Sequence, residues 1–273
     1  MRPHRVLAIA TAVIFAAGCG GTANDPTSDG SASATSPRPS VTPPIKEIRA
    51  SVEERCHFPF EGTIEGIRVD AESTLAIATV GTGPTVVVML PQVRGGMCGA
   101  MPYARLLAEK GIAAAPMDLC ADGDSSCGPT VSKDPAKQVG AAVTWAREKL
   151  GADRVVVMGA SAGGSTALGV AQQAGADAVV DLSGPANWPG VPEAEEAAKA
   201  TTIPLLIMCA EADQGSFPAR LRQAVKGSPA KVKKYVAAAG GHGWTMLTRD
   251  ATVESQPSMD GKIVLDWVLK PTS

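Results

Sequence analysis

Residues 154–174 read RVVVMGASAGGSTALGVAQQA. The stretch opens on an apolar β-branched run, Val155 to Met158, of the length and composition of a buried strand. It turns through Gly159-Ala160-Ser161-Ala162-Gly163 and continues as a small-residue helix over Gly164–Ala174. A serine at the tip of a strand–turn–helix, with glycines two before and two after, is the G-x-S-x-G pattern that lifts a hydroxyl above a sheet edge. The glycines let strand and helix pass closely. The backbone N–H of Ala162 then opens a helix, where it faces negative charge. The alternative is that Ser161 only caps that helix.

Outward from this stretch the pattern alternates. Strands are expected at Thr85–Leu90, Ile112–Pro116, Ala178–Leu182, Ile203–Ala210 and Lys233–Ala238. Helices are expected at Pro102–Lys110, Asp134–Leu150, Pro192–Ala200, Phe217–Lys226 and Asp260–Leu269, with Gly111, Gly151 and Gly227 as stops. Such alternation implies a mostly parallel sheet with right-handed crossovers, covered by helices on both faces. Ile64–Val69 and Leu75–Thr79 read as an antiparallel hairpin added at one edge. Met117 to Ser132 is a polar loop bracketed by cysteines.

A serine hydroxyl needs a base, and the base needs an orienting acid. Of three histidines, His4 lies in an N-terminal leader and His57 precedes the first strand, where it reads as structural or exposed. His242, in Ala-Gly-Gly-His-Gly-Trp after the last strand, falls on the sheet edge where open α/β sheets bind ligands. The acid should follow a strand between serine and histidine. Asp213 is the leading candidate, with Glu211 and Asp181 as alternatives.

The order Ser161…Asp213…His242 resembles that of α/β-hydrolase-fold serine hydrolases, in the small esterase and dienelactone-hydrolase style, from Gly66 to the C-terminus. The resemblance implies an α/β-hydrolase fold with a minimal cap, because Ser183–Thr202 is short. It implies a Ser161–His242–Asp213 triad and a carboxylesterase acting through an acyl-enzyme on small or flexible ester substrates, with no cofactor and no metal. Peptidase, thioesterase and acyltransferase chemistry use the same triad. It also implies an oxyanion hole from the Ala162 N–H and the loop after Leu90. There the chain has Pro91-Gln92-Val93 where the family often shows His-Gly or His-Gln, and the role is carried to the Val93 backbone. Asp118 to Ser125 resembles the family's Asp-x-x-Gly-x-Gly-x-Ser loop in altered form and reads as structural or as a pocket wall. Met97, Met101, Trp188 and Trp244 are candidates either for an acyl pocket or for ordinary loop packing. Two other classes stay open: a noncatalytic binding domain on the same fold, and a nucleotide-binding protein. The glycines after Met158 do not form G-x-G-x-x-G, which weakens the latter.

The N-terminus reads differently from the rest. Arg2 and Arg5 precede an apolar run, Val6 to Ala17, too short for a comfortable transmembrane span. Ala16-Ala17-Gly18-Cys19 resembles the bacterial lipobox, with Cys19 as the lipidated mature N-terminus; ordinary cleavage nearby and an uncleaved anchor are the alternatives. Residues 1–18 are thus the expected signal peptide, 19–45 a Ser/Thr/Pro-rich disordered tether, and 46–273 the hydrolase domain. The expected location is the outer face of a bacterial membrane, with a monomeric domain held by lipid. Net charge is −2. No basic stripe invites nucleic acid. Five further cysteines in an exported chain permit disulfides. Cys120 and Cys127 can close a short loop, Cys56 and Cys98 are the remaining candidate pair, and Cys209, ending an apolar strand, reads as a buried free thiol.

Overall fold

The computed structural model describes residues 45–57, 62–120, 122–252 and 254–271. The expected signal peptide, tether and lipidation site Cys19 lie outside them. Six parallel strands form the central sheet: β3 (Thr85–Leu90), β4 (Ala113–Pro116), β5 (Arg154–Ala160), β6 (Ala178–Leu182), β7 (Leu205–Ala210) and β8 (Lys233–Ala238), in the order β4-β3-β5-β6-β7-β8. Alternate side chains of each strand enter opposite cores. Val86, Val88, Val155 and Val157 pack on one face; Val87, Met89, Val156 and Met158 pack on the other.

Helices cover both faces, so the strands are apolar throughout rather than alternating. One face carries α1 (Ile45–Cys56), α2 (Met101–Ala108) and α8 (Met259–Leu269) through residues such as Val52, Leu107 and Val264. The other carries α4 (Pro135–Leu150), α5 (Ala162–Val170), α6 (Ala194–Ala200) and α7 (Pro218–Gly227). α3 (Pro129–Ser132) is a single turn before α4. Helix α4 has the ends its sequence dictates. Asp134 Oδ1 accepts the Lys137 N–H at 3.1 Å, and Gly151 ends the helix with φ +66°. A cap of this kind contributes about 1 kcal/mol.

The chain runs from β3 outward to β4, then returns to place β5 on the other side of β3. The loops leaving β3 and β5 therefore diverge, and a crevice opens between their C-terminal ends. Those loops are Pro91–Gly95 and Ser161 itself.

Two elements differ from expectation, and one open alternative is decided. The hairpin, β1 (Thr63–Arg68) and β2 (Thr74–Thr79), forms its own two-stranded sheet instead of extending the main one. It meets β4 only through the single bridges Ile77–Met117 and Val80–Ala114. Helix α1 occupies residues with no apolar stripe beyond Ile48 and Val52, which are buried. It is fixed instead by a disulfide from Cys56 to Cys98 and by Arg55, which pairs with Asp118 at 3.0 Å and Asp124 at 2.7 Å. Of the two readings open for Met97 and Met101, packing holds rather than an acyl pocket: both are fully buried in the core, because the 3-10 turn Gly96–Ala100 folds inward against α2.

Candidate active site

Ser161 ends β5 with φ +52° and ψ −123°, a conformation that a non-glycine residue adopts only when its surroundings enforce it. Its N–H donates to Leu182 O at 2.9 Å, and its carbonyl accepts Gly164 N–H at 2.8 Å and Ser165 N–H at 3.1 Å. The backbone is thus held on both sides, and the hydroxyl makes no capping bond to α5. Capping does not account for the serine.

The glycines around it are required by contact. A Cβ on Gly159 would sit 1.9 Å from Gly163 O. One on Gly163 would sit 2.5 Å from the carbonyl oxygens of both Leu90 and Pro91. The first turn of α5 therefore touches the loop that leaves β3. The Ala162 N–H is unbonded within the helix by its position, and Val93, in the loop that leaves β3, is exposed.

His242 and Asp213 meet across the ends of β8 and β7. His242 Nδ1 lies 2.7 Å from Asp213 Oδ2. The same oxygen accepts the Ser216 hydroxyl at 3.0 Å, and the Cys209 thiol lies 4.0 Å away. Partial burial raises the affinity of the Asp213 carboxyl for its proton, but the hydrogen bond and charge of His242, with Ser216 and Ser183, outweigh it and hold the group below the usual carboxylate range. Burial, then the Asp213 charge, pushes the Cys209 thiol up to about 12, so it stays a neutral neighbour. Thr245 fixes the histidine's backbone, accepting His242 N–H at 3.1 Å and donating to His242 O at 2.8 Å. Gly243, at φ +57°, packs where a Cβ would lie 3.0 Å from Ala160 Cβ. The residue after His242 is thus seated on the residue before Ser161.

The other candidates separate cleanly. Glu211 is exposed and pairs with Arg222. Asp181 is fully buried, with Oδ1 on the Gly184 N–H. His57 is exposed at the end of α1. Ser165 is buried and donates to Pro185 O at 2.8 Å. Trp188 is half-buried.

Two features of the site were not legible in the sequence. The first is a cleft of about 350 Å³ next to the turn that follows His242, lined by Gln92, Cys98, Gly99, Trp244, Thr245 and Arg249 among others; Ser161, Asp213 and His242 do not line it. Of the tryptophans named as pocket candidates, Trp244 borders it. The second is the hub at Asp118. Its carboxylate accepts the N–H groups of Met97 at 2.7 Å and Asp124 at 2.8 Å, and Arg55 reaches it from α1. Burial raises the Asp118 pKa despite these donors. The hub ties the altered Asp118–Ser125 loop to the turn that follows the loop leaving β3. Cys120–Cys127 closes the same loop by a second disulfide. Among the described residues no group of His, Cys, Asp and Glu could hold a metal ion.

No family model matches the chain, and no curated protein matches it in sequence. Solved structures do share its fold. A dienelactone hydrolase from Anabaena variabilis aligns at TM-score 0.59 with 16% identity, over 78% of this chain and 99% of that one. Est1E from Butyrivibrio proteoclasticus, solved with ferulic acid bound, aligns at TM-score 0.56 with 15% identity, over 75% and 96%. An α/β serine hydrolase without a lid from Xanthomonas campestris aligns at TM-score 0.51 with 18% identity, over 66% and 84%. The chain has the α/β-hydrolase fold. Between β6 and β7 it carries α6 and no larger insertion.

Proposed function

We propose that the protein is a serine hydrolase, carboxylesterase-like, that cleaves small or flexible esters. The observation that carries this reading is the 2.7 Å contact between His242 Nδ1 and Asp213 Oδ2, on the sheet edge that also presents Ser161. With Nδ1–H donated to the carboxylate, Nε2 is the basic nitrogen. It takes the Ser161 proton as Oγ attacks the ester carbonyl, and returns it to the leaving alcohol. The Ala162 and Val93 N–H groups receive the oxyanion, and water then releases the acid. The esterase and lidless neighbours support an open site. No step requires a cofactor.

We also propose that the chain is an exported lipoprotein held at the membrane through Cys19. The disulfides Cys56–Cys98 and Cys120–Cys127 support an oxidising compartment.

A fluorophosphonate probe should label Ser161, and p-nitrophenyl esters of increasing acyl length should be hydrolysed with a preference that sizes the acyl site. Absence of both label and turnover in folded protein would favour a binding domain on this fold. Asp213→Asn should lower kcat by about 10⁴-fold while leaving the fold intact, because the imidazole loses the partner that sets its tautomer. An unchanged kcat would remove Asp213 from the mechanism.

A further inference from the structure

The elbow rests on an acid that the reaction as described above does not use. Asp181 lies on β6 beside Gly159 of β5 and Ile207 of β7. It is completely buried; Oδ1 accepts the Gly184 N–H at 2.7 Å and Oδ2 has no partner. Two glycines make the space. A Cβ on Gly164 would lie 2.3 Å from Oδ1, and a Cβ on Gly184 would lie 2.6 Å from it. Gly164 is the third residue of α5. The carboxyl therefore lies against the first turn of the helix whose opening N–H faces the oxyanion.

A fully buried carboxyl with a single protein donor is pushed toward its neutral form by desolvation. Burial raises its pKa, opposed only by the Gly184 N–H, to about 7. No basic group contributes. The titratable groups on the packed elements are Cys209 of β7, neutral at these pH values, and Asp213 beyond it, where burial is outweighed by His242, Ser216 and Ser183. Beta-strand 5 and helix α5 offer glycine, alanine, serine and threonine there.

We propose that Asp181 is a positioning residue that acts by staying protonated: neutral, it leaves the positive end of α5 to the oxyanion; ionised, it sets a rival negative charge against the first turn and weakens transition-state binding. This rests on the Ser161 reading above. The effect runs through the helix terminus, where a nearby anion cancels the partial positive charge.

The test is the pH profile of kcat for p-nitrophenyl acetate, wild type against Asp181→Asn. Wild-type kcat should fall roughly tenfold between about pH 6 and pH 9, the size expected for one charge within about 10 Å in a partly polarisable interior. Asp181→Asn should match wild type at pH 6 and hold its plateau to pH 9. Identical alkaline limbs in the two proteins would overturn the proposal. So would a change confined to the pH dependence of melting, where a raised native pKa makes stability fall as pH climbs from about 4, the unfolded value, to 7. Should Asp181→Asn fail to fold, the wild-type protein still decides. A protonated-carboxyl infrared band must vanish with the midpoint of the alkaline limb; different midpoints overturn the proposal. Failure of the serine reading looks different, because Ser161→Ala would then retain turnover.

Discussion

Ser161→Ala should lower kcat for an activated ester by roughly 10⁶-fold, the loss seen when a nucleophile is removed from a group of residues that acts as a unit. The melting temperature should hardly move. The serine hydroxyl makes no cap bond to α5, and the bonds that hold residue 161 come from its backbone, to Leu182, Gly164 and Ser165. Alanine meets the same strain at φ +52° as serine does. The pair of measurements, turnover and thermal melting, separates chemistry from folding. Retained turnover in a folded Ser161→Ala protein would end the serine-hydrolase reading.

Gly159→Ala should be strongly destabilising. Glycine-to-alanine changes stabilise by about 0.4–1 kcal/mol where the backbone accepts them. Gly159 reverses that sign, because its new Cβ would stand 1.9 Å from Gly163 O and 2.2 Å from Gly163 C. Neither atom is the tip of a flexible side chain, so strand β5 and helix α5 must separate. Helix α5 cannot retreat freely, since Gly164 already abuts Asp181 and Gly184. Destabilisation above about 4 kcal/mol is expected, the range reserved for such backbone conflicts. Urea unfolding would measure it. Gly140→Ala, inside α4 with its nearest contact at 4.0 Å, is the control and should gain up to about 1 kcal/mol. Equal midpoints for the two variants would refute the packing argument.

The elements that carry strong local signals were readable in advance. Apolar β-branched runs located the main-sheet strands, glycines located the helix ends, and the spacing of Ser161, Asp213 and His242 located one sheet edge. The structure forms the two disulfides at Cys56–Cys98 and Cys120–Cys127 and leaves Cys209 free and buried. The rest depended on contacts far apart in sequence. Helix α1 was invisible because two buried side chains are too few to make a periodic pattern. Its one signal was Ile48 and Val52 four apart, beside an Arg49–Glu53 pair at the same spacing. Asp181 read as an alternative triad acid and Asp118 as the start of a structural or pocket-wall loop; neither reading showed that the fold buries both. Met97 and Met101 read as loop residues, and only the inward 3-10 turn shows why they are core.

The Cys56–Cys98 bond has a consequence for how the molecule withstands proteolysis. It closes a ring of 42 residues that contains the hairpin, β3 and the oxyanion loop. In the chain-entropy model a ring of that size restricts the unfolded chain by about 4 kcal/mol. A protease that cuts once anywhere between the two cysteines leaves both fragments in one covalent piece, with α1 still bonded to the turn beside the active site. Covalent connection between these two segments does not depend on an unbroken backbone.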